Sequence, residues 1–392
     1  MRFLQAKFVF TGLRLMEDAV LVLNDDDRID SVVYPEEVGN ANIEFFEGIL
    51  CPGFINVHCH LELSHMRAKV ERGNGLPQFI YNVIRNRHAD LRHIAEQAEA
   101  ADKEMWKNGI VAVGDISNTL DSFAAKSKSK MRYYTFIELF GLYPEDATKQ
   151  FNEGLSLLDE LSKNKSNAAG SITPHAPYSV SPKLFEKIYG LCYSKETAMS
   201  MHNQETPSEN EMFLSGSGAL YNALSSAKAL PEGWKAPGFR SLEYAIVQLP
   251  RCNNILLVHN TYSDAYDIDK ADKYTNRLYW ATCPKANLFI ENNLPNYDLW
   301  REKKLKICVG TDSLASNDKL CILDELKTIQ EFNPHIPTPE LLQWATRNGA
   351  DYFEYADLGS FKPGSKPGIN HITGFESTSL KLTQSSRVQK LM

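Results

Sequence analysis

Four features are scarce in this 392-residue chain, and each scarcity removes a class of protein. Cysteine is sparse, with seven residues at 51, 59, 192, 252, 283, 308 and 321, and no Cys-x-x-Cys pair. That excludes a disulfide scaffold and a cysteine-built zinc site, and predicts reduced thiols in a cytoplasmic protein. Positive charge is not in excess: 42 Lys and Arg stand against 49 Asp and Glu, a formal charge of −7 with no basic stripe. A nucleic-acid partner is therefore not expected. No run of about 18 apolar residues occurs, and the start Met-Arg-Phe-Leu-Gln-Ala-Lys7 lacks the apolar stretch of a secretion signal, so no membrane partner is expected. Repeats and low-complexity segments are also missing. What is present, 43% apolar and 23% charged, is the composition of a globular enzyme-sized protein.

Short alternating runs fill residues 8–50 and predict a small antiparallel β unit over residues 1–51. From residue 52 to about 355 the pattern changes. Eight short, nearly all-apolar runs alternate with helical periodicity such as Phe79–Trp106. The runs are Gly53–Val57, Ile110–Val113, Tyr133–Ile137, Ala168–Ile172, Ala198–Met201, Asn254–Val258, Arg277–Ala281 and Leu305–Val309. Continuous apolarity is the mark of parallel strands covered on both faces, and eight of them predict an α/β fold, a (β/α)8 TIM-like barrel over 52–355. Residues 356–392 return to short alternating runs, expected to join 1–51 in one small β-sandwich formed by both termini. The segment 208–238, between the fifth and sixth runs, is too long for a plain connection. Its Tyr221 and Trp234 are expected to offer stacking surfaces to a substrate.

The chemistry lies at the ends of these runs. The first ends in Asn56-Val-His58-Cys-His60; on a strand residues i and i+2 share a face, so two imidazoles converge on one point. An isolated His-x-His reads equally well as packing or surface. Here the fourth run leads to His175, the fifth ends in His202-Asn-Gln-Glu205, the sixth in His259 and the eighth in Asp312. Five of ten histidines thus fall at the mouth where a barrel keeps its active site. Imidazoles and a carboxylate gathered there suit a divalent metal, and zinc lowers the pKa of a water it binds to about 7. Zinc is expected, with iron or manganese allowed by the same donor set.

The stretches Pro52-Gly-Phe-Ile-Asn-Val-His-Cys-His-Leu-Glu-Leu-Ser64, Thr173-Pro-His-Ala-Pro-Tyr-Ser179, His202-Asn-Gln-Glu-Thr-Pro-Ser-Glu209, Leu257-Val-His259 and Gly310-Thr-Asp-Ser-Leu-Ala-Ser316 resemble the amidohydrolase superfamily, in its mononuclear deaminase and chlorohydrolase-like branch. The resemblance implies that His58, His60, His202 and Asp312 hold one metal. It makes Glu205 the proton shuttle and has His259 contact the attacking water. Two-metal members carry a carboxylated lysine at the end of the fourth strand; His175 stands near that point here, which implies one metal. Within the branch the motifs are most similar to those of aminofutalosine deaminases, which implies an adenine nucleoside as the small-molecule substrate. Glu62 would then bind a sugar hydroxyl or base edge, and His175 a base or carboxylate. Glu62 also reads as an ordinary loop acid, and Ser64, His65 and Arg67 as capping and surface residues. A guanine, cytosine or triazine aminohydrolase, a cyclic-amide hydrolase and an inactive metal-binding scaffold remain alternatives, and a homodimer is left open.

Overall fold

The computed structural model describes residues 1–164, 166–195 and 197–392. The N-terminal runs form strands β1 (Arg2–Phe10), β2 (Leu15–Glu17), β3 (Val20–Leu23), β4 (Ile29–Val33) and β5 (Ile43–Pro52). The eight apolar runs each become a strand: β6 (Phe54–Cys59), β7 (Ile110–Ser117), β8 (Arg132–Leu139), β9 (Gly170–Pro174), β10 (Met199–Asn203), β11 (Ile255–His259), β12 (Leu278–Thr282) and β13 (Ile307–Val309). The C-terminal segment supplies β14 (Ile369–Thr373) and β15 (Arg387–Lys390).

β6 to β13 run parallel in two four-stranded sheets, ordered β6-β7-β8-β9 and β10-β11-β12-β13. Their residues are buried almost without exception because helices cover them. Alternation decides which core each side chain joins. Ile255 and Leu257 of β11 pack in one apolar cluster, Leu256 and Val258 in another that holds Phe136 and Tyr352. The ends of the two sheets meet on both sides. The His202 N–H donates to the His175 carbonyl at 2.8 Å, while the N–H groups of Thr311 and Asp312 both reach the His58 carbonyl at 3.1 Å.

Two expectations change. The helical pattern from Phe79 to Trp106 is two helices, Gly75–Asn86 and Leu91–Lys107, because the Asp90 carboxylate caps the second by accepting from the Arg92 and His93 N–H groups. The terminal strands form one seven-stranded sheet, β15-β14-β5-β1-β3-β4 with β2 on β1, and it is mixed rather than antiparallel. β1 and β5 run parallel because β3 and β4 lie between them in sequence and carry the chain back. Both termini do meet in this sheet, β14 pairing with β5.

Candidate active site

Six polar side chains collect at the C-terminal ends of the parallel strands, the end where α/β sheets bind ligands. His58 and His60 close β6, with Nε2 atoms 3.1 Å apart. Asp312 follows β13, its Oδ1 3.6 Å from His58 Nε2 and 3.4 Å from His60 Nε2. His202 of β10 brings a ring nitrogen within 4.8 Å of both imidazoles, and His259 of β11 does the same with His58 and Asp312. Donor atoms 3.1–3.6 Å apart are spaced as ligands that each lie about 2 Å from a common cation. The residues present therefore fit a divalent metal.

The backbone bends sharply to aim them. Gln204, His259 and Asp312 all adopt left-handed φ angles, of 43°, 71° and 56°. Non-glycine residues hold such angles at a cost of order 1–3 kcal/mol each, so neighbours must enforce them. The Asp312 N–H is tied to His58, and its Oδ2 accepts from Ser316 Oγ. His259 Nδ1 donates to Asn287 Oδ1 at 2.8 Å, which leaves Nε2 bare toward the site, 3.7 Å from Glu205 Oε1. Glu209 clamps the neighbouring turn: its carboxylate accepts from the N–H groups of Gln204 at 3.1 Å and Glu205 at 2.8 Å.

Burial sets the protonation states. It pulls His58, His60 and His259 down to about 4, so these imidazoles are neutral and able to ligate at pH 7. It pushes Glu205 up to about 8, making it a carboxylic acid that still holds its proton near neutrality. Asp312 is buried too, yet contact with His58 and His60 holds it well below the usual carboxylate range. His202 is buried, but the Glu138 carboxylate 3.2 Å from Nδ1 outweighs that and pushes it up to about 9. A cation on its other nitrogen would displace that proton.

Beside this cluster opens a cavity of about 370 Å³. Its floor is His60, His202, Glu205, His259 and Asp312, and its lip is apolar, with Leu76, Phe79, Ile80, Val83, Leu142 and Leu224. Arg87 is the only Lys or Arg on its wall among the described residues.

A model of the amidohydrolase family matches residues 49–389. The chain belongs to the amidohydrolase family. As such it is a hydrolase acting on carbon–nitrogen bonds. Similar proteins include the adenosine deaminase of Helicobacter pylori, 28% identical over 316 residues that cover 78% of this chain and 75% of that protein. The aminodeoxyfutalosine deaminase of Nitratiruptor sp. is 25% identical over 363 residues, 90% of this chain and 86% of the relative. Among solved structures, Helicobacter pylori aminofutalosine deaminase in complex with methylthio-coformycin shares the fold at a TM-score of 0.82 and 23% identity, covering 98% and 94% of the two chains.

The expected residues of this amidohydrolase fall in two groups. His58, His60, His202, Glu205, His259 and Asp312 come together, and His175 lines the cavity with Nδ1 2.6 Å from Ser179 Oγ. Glu62 does not reach the cavity wall. Its carboxylate is taken by Arg87 at 3.2 Å, by the N–H groups of Asn118 and Thr119, and by Thr119 Oγ1. Ser64 and His65 are buried rather than on the surface, His65 lying between the Glu62 and Arg87 carbonyls, while Arg67 is exposed. Tyr221 and Trp234 pack on each other, ring centroids 5.8 Å apart, in an apolar cluster behind the lip. Leu224 and Ala229 of the same segment line the cavity instead. Sequence reasoning missed Glu138, a lone acid near the end of the apolar β8, as well as Asn118 and Asn287.

Proposed function

We propose that this amidohydrolase is a hydrolytic deaminase of an adenine nucleoside, most closely one such as 6-aminodeoxyfutalosine, working with one divalent metal, zinc first among the candidates. The observation that carries this reading is the convergence of His58, His60, His202 and Asp312 on one point, with Glu205 and His259 beside it. The similar deaminases of adenosine and aminodeoxyfutalosine support the choice of substrate class. The same reading takes residues 52–355 as a closed (β/α)8 barrel and the sheet of residues 1–51 and 356–392 as a small β-sandwich. It places the enzyme in the cytoplasm, and no helix among the described residues is long and apolar enough to cross a membrane.

His58, His60, His202 and Asp312 would hold the ion, which would supply an acidified water and polarisation at the carbon under attack. Glu205 gives its proton to the ring nitrogen next to that carbon, making the carbon electrophilic. His259, fixed by Asn287, donates or accepts at the oxygen that adds there. Glu205 then takes one proton of the added water and passes it to the amine, and as the carbon–nitrogen bond breaks it takes the remaining hydroxyl proton, so ammonia and the oxo product leave neutral and Glu205 is protonated again. The apolar lip excludes bulk water and suits an apolar 5′ substituent, with Arg87 placed for an anionic end. Binding energy from that substituent orients the ring, so it raises kcat as well as tightening binding.

Ammonia release by purified, metal-replete protein tests this. 6-Aminodeoxyfutalosine and 5′-substituted adenosines are expected to turn over, and free adenine far more slowly. Turnover of guanine or cytosine alone refutes the nucleoside assignment. Ring opening of a cyclic amide without ammonia refutes the deaminase assignment as well.

A further inference from the structure

One polar patch of the cavity wall is used neither by the four-residue cluster nor by Glu205. It consists of Asn118, Glu138 and His175. Glu138 lies near the end of β8 with its side chain 3% exposed. Its Oε2 accepts from Asn118 Nδ2 at 3.3 Å, whereas Oε1 accepts no hydrogen bond. Oε1 does sit 3.2 Å from His202 Nδ1, but that nitrogen has one hydrogen, and the His175 carbonyl at 3.0 Å takes it. The His202 ring is thus directed at the His175 carbonyl, Glu138 acts on it chiefly through its charge, and the buried Oε1 has no well-directed donor. Such an oxygen costs free energy until something donates to it.

The chemistry of the missing donor is restricted. Purine ring nitrogens are acceptors and are repelled by a carboxylate. The exocyclic amine is a donor, but reaction requires it beside Glu205, His259 and Asp312, none of which pairs with Glu138. A sugar hydroxyl is a donor and lies away from the reacting carbon. The apolar lip has nothing for a hydroxyl, so the Asn118–Glu138–His175 patch is where a hydrated diol loses least on leaving water. We infer that Glu138 is the specificity-determining residue for the ribose, its free Oε1 accepting from the 2′- or 3′-hydroxyl of the bound nucleoside. The inference rests on the nucleoside reading above and names the residue that makes the enzyme read the sugar.

The test is ammonia release from adenosine, 2′-deoxyadenosine, 3′-deoxyadenosine and 2′,3′-dideoxyadenosine by wild type, Glu138→Ala and Glu138→Gln, with metal content measured on each. Wild type is expected to favour adenosine over the dideoxy compound by about 10- to 100-fold in kcat/KM, the worth of one hydrogen bond to a charged group. In Glu138→Ala this preference collapses to within about threefold, while Glu138→Gln, whose amide oxygen still accepts, keeps part of it. Metal content stays at the wild-type level in both. Whichever single deoxy compound behaves like the dideoxy one identifies the hydroxyl. An undiminished preference in Glu138→Ala overturns the inference. So does loss of metal from both variants, which would make Glu138 a support for His202, and so does a wild type indifferent to the diol. If wild type acts only on 5′-substituted nucleosides, the same deoxy series is read in 5′-methylthioadenosine, and a wild type that deaminates no nucleoside of either series overturns the nucleoside reading itself.

Discussion

Lys126 is completely buried, and removing it should be among the most damaging changes available outside the active site. Its Nζ pairs with Asp115 Oδ2 at 2.5 Å and donates to Ser117 Oγ at 2.8 Å and Thr135 Oγ1 at 3.1 Å, so all three hydrogens are placed. Asp115 is equally buried, and its Oδ1 accepts from the Leu61 N–H at 2.7 Å, one residue past His60. In Lys126→Met the ammonium goes but the carboxylate stays, held only by Leu61 and Ser117. Breaking a buried pair from one side costs about 3–5 kcal/mol, because the surviving charge has neither water nor a counter-ion. In Lys126→Met/Asp115→Asn the orphaned charge is gone, and the amide oxygen still serves Leu61. That double variant should lie within about 1–2 kcal/mol of wild type, recovering about 1–4 kcal/mol of what the single variant loses. Urea unfolding of the metal-loaded proteins at pH 7 measures all three. The reasoning is wrong if Lys126→Met costs less than about 1 kcal/mol, or if the double variant is less stable than the single one.

Other expectations are more direct. Glu205→Gln should lower kcat about 10²–10⁴-fold, the range for general acid–base catalysis, with metal content measured by elemental analysis unchanged. His58→Ala and Asp312→Ala should lose metal and activity together, and retention of a full equivalent of metal by either would remove that residue from the ligand set. Glu325 accepts from the Lys285 N–H and Asn317 Nδ2, and burial pushes its carboxyl up to about 8. The folded state therefore holds a proton that the unfolded chain releases near 4.5, so this group makes stability fall as pH rises from about 5 to 8. Glu325→Gln should flatten that fall by about 1.4 kcal/mol per pH unit in urea midpoints converted to free energy, and an unchanged slope would contradict it.

The eight parallel strands were legible because doubly covered strands must be apolar along their whole length, a demand visible without any partner. His58, His60, His202, Glu205, His259 and Asp312 were legible for the complementary reason: a polar residue that ends such a run has been placed there against the grain. Glu138 escaped because its run looked finished at Ile137, and nothing local says that the next side chain turns toward His202. The partners of Glu62, namely Arg87, Asn118 and Thr119, were not legible because they come from two later connections. Tyr221 and Trp234 satisfy each other, a contact 13 residues apart that composition alone does not reveal. The parallel pairing of β1 with β5 depends on which strand returns to the sheet first, and that is a property of topology rather than of pattern.

The pairing of β14 with β5 has a consequence for how the protein is made. Pro52 at the end of β5 leaves the ribosome roughly 300 residues ahead of its partner Ile369. At about 5–20 residues per second, β5 waits some 15–60 seconds with one edge unpaired. Asn370 also anchors the returning strand to the Gly109 carbonyl, at the entrance to β7, so the arrival of β14 seals two regions at once. The nascent chain must therefore protect an apolar strand edge through most of its own synthesis. A ribosome stalled before residue 369 would present that edge to other chains, which makes late translational arrest the point of greatest aggregation risk in the life of this enzyme.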